Sequence, residues 1–123
     1  MTTPDMVAVA RAILAPAISP AKVGSQVPTS RPARFVKVVA AGGPPLRDVV
    51  LTEAVVTWEA SSTAGSVDAS TLAGAVRDAF YAAEGTAPSG FQLLKVDCTM
   101  PTYYPAEGAE RYTGTATLLL RTP

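Results

Sequence analysis

The sequence contains no histidine, only one cysteine and few charges, with Asp, Glu, Lys and Arg making up 16% of its 123 residues. Each shortage excludes some chemistry. Without histidine there is no Ser/His or Cys/His nucleophile pair, no side chain that ordinarily titrates near neutral pH, and no imidazole to bind zinc. A lone Cys98 excludes an intramolecular disulfide and a multi-cysteine metal site, and gives no mark of an oxidising compartment. No apolar run approaches the roughly 18 residues of a membrane-spanning helix. The apolar stretch at 6–14 follows Asp5 and is interrupted by Arg11, unlike the basic start and unbroken apolar run of a signal peptide. The chain is therefore expected to be soluble and intracellular where it is made.

What is present fits one folded domain over residues 1–123. Hydrophobic residues make up 48%, enough to argue against disorder and for a core without staples. Ten basic residues balance ten acidic ones, which argues against a dedicated nucleic-acid binder. The charged fraction is below the roughly 25% of ordinary soluble domains, as expected of a surface that meets other protein.

Hydrophobic spacing predicts the elements. Residues 3–15 read as a helix with Thr3 as N-cap, Pro4 in the first turn and Met6, Val9, Ala10, Ile13 and Leu14 on one face, stopped by Pro16. The proline-punctuated segment 16–34 reads as an ordered loop with a short edge strand at 22–27. It either wraps its own domain or lies across a neighbour. Strands at 34–41 and 47–60 form a hairpin around Gly42-Gly43-Pro44-Pro45. On the second strand Val50, Ala54, Val56, Trp58 and Ala60 share one face. The other carries Val49, Leu51 and Val55 beside Glu53, Thr57 and Glu59, so a helix or another subunit is expected to cover it.

Residues 67–84 give the clearest helix, with Ala69, Leu72, Ala73, Val76, Ala79, Phe80 and Ala83 in one stripe, Ser66 or Asp68 as cap and Gly85 just past the end. A strand at 91–100 places Leu94, Val96, Cys98 and Met100 together. A loop at 101–110 leads to a final strand at 111–121 with Tyr112, Ala116, Leu118 and Leu120 on one side and Thr113, Thr115 and Thr117 on the other. The fold class is α+β: a mainly antiparallel sheet of four to five strands flanked by two helices, in the order α-β-β-β-α-β-β.

No catalytic set stands out. Cys98 falls on an apolar strand face with no histidine to activate it, and reads as a buried, inert thiol. Glu53 and Glu59 share a strand face but lie about 20 Å apart at 3.3 Å per residue, beyond the roughly 5–10 Å of a glycosidase pair. No glycine-rich nucleotide loop occurs. Trp58 reads as core. Tyr103, Tyr104 and Pro105, crowded before Glu107 and Glu110, read either as an exposed contact surface or as a loop clamped to the sheet.

Charge is neutral in sum but uneven in order. Residues 1–48 carry Arg11, Lys22, Arg31, Arg34, Lys37 and Arg47 against Asp5 and Asp48, a surplus of four positive charges. Residues 49–123 carry four basic against eight acidic residues, a surplus of four negative charges. Two readings stay open. Basic and acidic faces could drive head-to-tail association that closes into a ring, or the fold could interleave the halves and cancel the asymmetry.

The arrangement resembles the tail terminator, or tail completion, proteins of long non-contractile-tailed bacteriophages. The resemblance rests on the N-terminal helix; the segment Val27-Pro28-Thr29-Ser30-Arg31-Pro32-Ala33-Arg34-Phe35-Val36-Lys37-Val38 leading to Gly42-Gly43; a strand ending Val56-Thr57-Trp58-Glu59-Ala60; the helix with Ala69, Leu72, Ala73, Val76, Arg77 and Phe80; and the closing Arg111-Tyr112-Thr113 strand. It spans nearly the whole chain.

The resemblance implies a non-enzymatic virion protein, assembled in the host cytoplasm, with no cofactor and no membrane contact. Such proteins form a hexameric ring on the head-proximal end of the tail tube. They end tube polymerisation, and they offer a docking surface to the head connector or head-closure protein. DNA only passes through the lumen. Interface positions do not transfer from the family. The residues themselves nominate Arg31, Arg34, Lys37 and Arg47 as a basic face, and Glu53, Glu59, Tyr103, Tyr104, Glu107 and Glu110 opposite them on a neighbour. Charge reversal at Arg31 and Arg34 is then expected to stop ring formation without unfolding the domain. Alternatives are another neck component (head-closure or head–tail adaptor), a small α+β enzyme with carboxylate or tyrosine acid–base groups, and a monomeric ligand-binding module.

Overall fold

The computed structural model describes residues 5–19, 21–26, 32–42, 51–104 and 110–121. Among these, two helices pack on one face of a six-stranded, mostly antiparallel sheet.

Helix α1 (Met6–Ile18) starts at Asp5, whose carboxylate accepts from the N–H groups of Val7 at 3.1 Å and Ala8 at 3.3 Å. A cap of this kind stabilises a helix by about 1 kcal/mol. Asp5, not Thr3, is thus the N-cap. The helix also runs past its expected stop, with Pro16 inside the last turn. Proline removes one N–H and crowds the carbonyl four residues back, here that of Ala12. The chain tolerates this at a helix end because Ile18, one turn on from Leu14, is buried in the core. A break at Ala15 would carry Ile18 away from that position.

Helix α2 (Ser66–Ala82) begins after Gly65, which has φ 122° and gives no side-chain cap; neither Ser66 nor Asp68 serves as one. Asp68 instead sits in the first turn, where a carboxylate favours the positive end of the helix dipole. Of the expected stripe, Ala69, Leu72, Ala73, Val76, Ala79 and Phe80 are buried, while Ala83 is the C-cap and only partly buried. Beyond the helix Gly85 adopts φ 90°, the left-handed conformation glycine reaches without strain.

The strands are β1 (Lys22–Gly24), β2 (Arg34–Gly42), β3 (Leu51–Ser62), β4 (Gln92–Cys98), β5 (Thr102–Tyr103) and β6 (Glu110–Arg121). They lie in the order β1-β2-β3-β6-β4, with β5 also on β6. Among the described residues only β1–β2 is parallel, pairing Val23 with Val36 at the sheet edge. The final strand is therefore central: it lies between β3 and β4, with Trp58 opposite Gly114 and Val96 opposite Leu118. The two-residue β5 forms within the stretch expected to be loop.

Strand alternation builds the core. Val36 and Val38 on β2, Ala54, Val56, Trp58 and Ala60 on β3, and Ala116, Leu118 and Leu120 on β6 all face the helices. Fully burying a large apolar side chain is worth about 1.5–3 kcal/mol, so this face carries much of the stability. On β4 the expected face of Leu94, Val96, Cys98 and Met100 is corrected. The register shifts between Leu93 and Lys95, so Leu93, Val96 and Cys98 are buried, while Met100 lies past the strand and is 72% exposed. A bulge inserts one residue and moves the inward side chain across it, which strict alternation cannot anticipate.

Candidate functional site

The opposite sheet face is the candidate surface. On it lie Lys37 and Val39 of β2; Glu53, Val55, Thr57 and Glu59 of β3; Thr113, Thr115, Thr117 and Leu119 of β6; and Lys95 and Asp97 of β4. Val39 is 43% exposed, and the β3 and β6 members are half-buried by one another. Among the described residues no helix lies over this face, since α1 and α2 both pack on the other. Phe35 is the exception: it is 3% exposed, and its ring packs against Gly24 at the β1 edge.

Of the nominated basic residues, the two that are described, Arg34 and Lys37, do not share a face. Arg34 and Lys37 are three residues apart on β2, so their side chains project to opposite sides of the sheet. Arg34 turns toward α2, where its Nε lies 3.2 Å from the Asp68 carboxylate. The hydroxyl of Ser62, a fully buried residue, donates to that same carboxylate and accepts from the Ala64 N–H at 3.0 Å. Arg34 is therefore a structural link between β2 and the start of α2. Lys37 remains on the outer face, opposite Glu59. Arg31, Arg47 and Glu107 lie outside the described residues, as does Pro105.

The remaining nominees fall into two groups. Glu53 borders a shallow depression of about 210 Å³ together with Lys95, Asp97, Thr117 and Leu119; Lys95 and Asp97 pair across its rim at 3.7 Å. The others gather around Arg111. Its guanidinium lies 3.3 Å from the Glu59 carboxylate, donates from Nε to the Tyr104 carbonyl at 3.2 Å, and sits 4.8 Å from the centre of the Tyr104 ring. The Tyr103 ring packs at a tilt against Tyr112, centre to centre 5.3 Å, and its hydroxyl donates to Glu110. That carboxylate acceptor raises the Tyr103 pKa above its ordinary value, with smaller contributions in the same direction. Tyr103 and Tyr104 are clamped to β6 and yet remain 46% and 59% exposed.

Sequence reading did not single out Arg111 or Asp68 as anchors. Their roles depend on the β3–β6 and β2–β3 registers, which no local pattern carries. At the described positions the +4 and −4 halves meet within one molecule, where Arg34 pairs with Asp68 and Lys37 faces Glu59; Glu59 also pairs with Arg111 of its own half.

Cys98 is buried, and that burial pushes its thiol up from the ordinary value. The Trp58 indole N–H, which has no acceptor of ordinary geometry, and the Arg77 charge offset the rise only in part. A protonated thiol is a poor nucleophile. Among the described residues no three Asp, Glu or Cys side chains cluster as a metal site, and no helix is long and apolar enough to cross a membrane.

No protein-family model matches this chain, and no curated protein matches its sequence. The fold has a solved counterpart: a chain in the structure described as "Virion of native gene transfer agent (GTA) particle" superposes with a TM-score of 0.60 at 20% identity, over 94% of this chain and 86% of that one.

Proposed function

We propose that this protein is a structural component of a phage-like virion, and that within it the protein acts as a tail terminator. The observation that carries the proposal is the fold likeness to a gene transfer agent virion chain over 94% of the sequence. A sheet face of Thr, Val, Leu and mixed charges, uncovered by helix among the described residues, is consistent with it. The reading is non-enzymatic and needs no cofactor.

In this reading six copies close head-to-tail into a ring, each repeating the same heterologous contact. The outer sheet face, with Lys37, Glu53 and the Tyr103–Tyr104 segment at its margins, meets a neighbour or the last ring of tube protein. Once capped, the tube presents no further tube-like site, and growth ends by surface mismatch. The opposite ring surface docks the head connector, and DNA passes the lumen without being read.

Electron microscopy of particles lacking this protein tests the role. Tails of irregular or excessive length are expected; tails of normal length would overturn termination. The fold likeness equally supports another neck component, head-closure or adaptor, because the matched structure is a whole virion. Labelling the protein in intact particles separates the two: a terminator touches the tube, whereas an adaptor sits on the connector.

A further inference from the structure

Strand β4 is the last on its side of the sheet. A sheet edge ordinarily presents free N–H and C=O groups that another strand can pair with. Here several of the outward groups are already engaged by α2 and the turn behind it. The Leu93 N–H donates to the Thr86 carbonyl, and the Leu93 carbonyl accepts from the Gly85 N–H, both at 2.8 Å. The Val96 N–H donates to the Glu84 carboxylate at 3.2 Å. The Cys98 N–H donates to the Tyr81 hydroxyl at 3.0 Å, and that hydroxyl donates back to the Cys98 carbonyl at 3.3 Å.

The Tyr81–Cys98 pattern is the informative one. In an antiparallel ladder, a hydrogen-bonded residue pair exchanges an N–H and a C=O with one partner. The Tyr81 hydroxyl gives Cys98 both halves of that exchange from a single side chain. Gly85 and Thr86 give Leu93 the same pair from backbone. Neither Tyr81 nor Glu84 belongs to the buried stripe of α2; Tyr81 is 37% exposed and carries Arg77 5.1 Å from its ring centre. Their polar ends serve the strand rather than the core.

We propose that Tyr81 and Glu84 close the β4 edge against pairing with a strand from a second copy of this chain. The opposite edge, β1, is only three residues long and begins with exposed Lys22, a charge that discourages strand addition. With β4 and β1 blunted in this way, strand addition at either of them is disfavoured. This edge closure operates whether or not the protein serves in a virion.

The test compares wild type with Tyr81→Phe/Glu84→Ala at matched concentrations. Circular dichroism and thermal unfolding verify the fold, and sedimentation velocity with infrared spectroscopy reads association. The double variant is expected to assemble beyond the wild-type state with an intermolecular β-sheet band. Glu84→Gln alone, which keeps an acceptor oxygen, is expected to stay in the wild-type state. Hydrogen exchange supplies an independent readout. Tyr81→Phe removes the acceptor of the Cys98 N–H, and should speed exchange of that amide by about tenfold while leaving the β6 amides unchanged. If the double variant does not fold, the single Tyr81→Phe variant decides by exchange and sedimentation. A folded variant that keeps the wild-type association state, or a Cys98 amide unmoved by Tyr81→Phe, overturns the proposal.

Discussion

Gly114 lies directly against the Trp58 indole: a Cβ placed on Gly114 would stand 2.3 Å from Cζ2 and 2.7 Å from Cε2 of the ring. The two residues face each other across the central β3–β6 ladder, and Trp58 is fully buried. The glycine is thus the space in which the largest core side chain sits. Gly114→Ala is expected to destabilise the protein by about 1–3 kcal/mol, the usual cost of overpacking. Urea unfolding should show a lower midpoint with an unchanged slope. A midpoint at or above wild type would contradict the packing described.

Arg34 and Lys37 should separate cleanly by mutation. Asp68→Ala leaves Arg34 unpaired and strands the Ser62 hydroxyl in a buried position, so a loss of about 1–3 kcal/mol is expected. Arg34→Glu, placing two carboxylates together, should also lower the melting temperature. Lys37→Gln on the open face should change stability by no more than about 0.5 kcal/mol, while weakening any assembly that uses the Lys37 charge. Sedimentation alongside thermal unfolding distinguishes the two effects. Equal melting temperatures for Arg34→Glu and wild type would count against the Arg34–Asp68 link.

Cys98 gives a pH prediction with a definite sign. Burial raises its folded-state pKa above the ordinary 9.0, so the folded chain holds the thiol proton more tightly than the unfolded one. The stability this contributes is fully present below the ordinary value and is lost as pH rises through and beyond it. Cys98→Ala should remove that alkaline component. Native Cys98 should also react slowly with a thiol reagent at mildly alkaline pH, and rapidly once unfolded. Rapid native labelling would show that the thiol is accessible.

Arg111 holds Glu59 and Tyr104 through three different contacts. Arg111→Ala is expected to cost about 1 kcal/mol and to loosen the Tyr103–Tyr104 segment. Arg111→Lys keeps the charge but not the planar stack, and should recover only part of the loss. Amide exchange at Tyr104 is the direct measurement, since its N–H donates to the Arg111 carbonyl at 2.7 Å.

The core of the fold was readable where side-chain period is strict. The α2 stripe, the Val56–Trp58–Ala60 face and the Ala116–Leu118–Leu120 face all emerge from spacing alone. The misses share one cause: tertiary contacts overrode local signals. Ile18 burial carried α1 through Pro16, the bulge replaced Leu94 by Leu93, and Asp68 took a link to Arg34 in place of capping α2. The candidate surface was harder still. Which charges face one another depends on register across strands far apart in sequence, so the apparent split in charge between the two halves could not report the real partners.

The place of β6 also bears on how the protein is made. β3 and β4 are both synthesised before β6, and each finds its main partner only in that strand. Until Arg121 leaves the ribosome, β3 has β2 on one side only, and β4 has no sheet to join. The nascent chain therefore holds its helices and a single hairpin while its largest apolar face, including Trp58, waits for closure. Pairings this distant in sequence fold slowly and expose the chain to aggregation while they form. Removing even the last rung of the final strand, Arg121 with Leu51 and Gln92, should fall hardest on yield in the cell, before it is seen in the stability of molecules that have already folded.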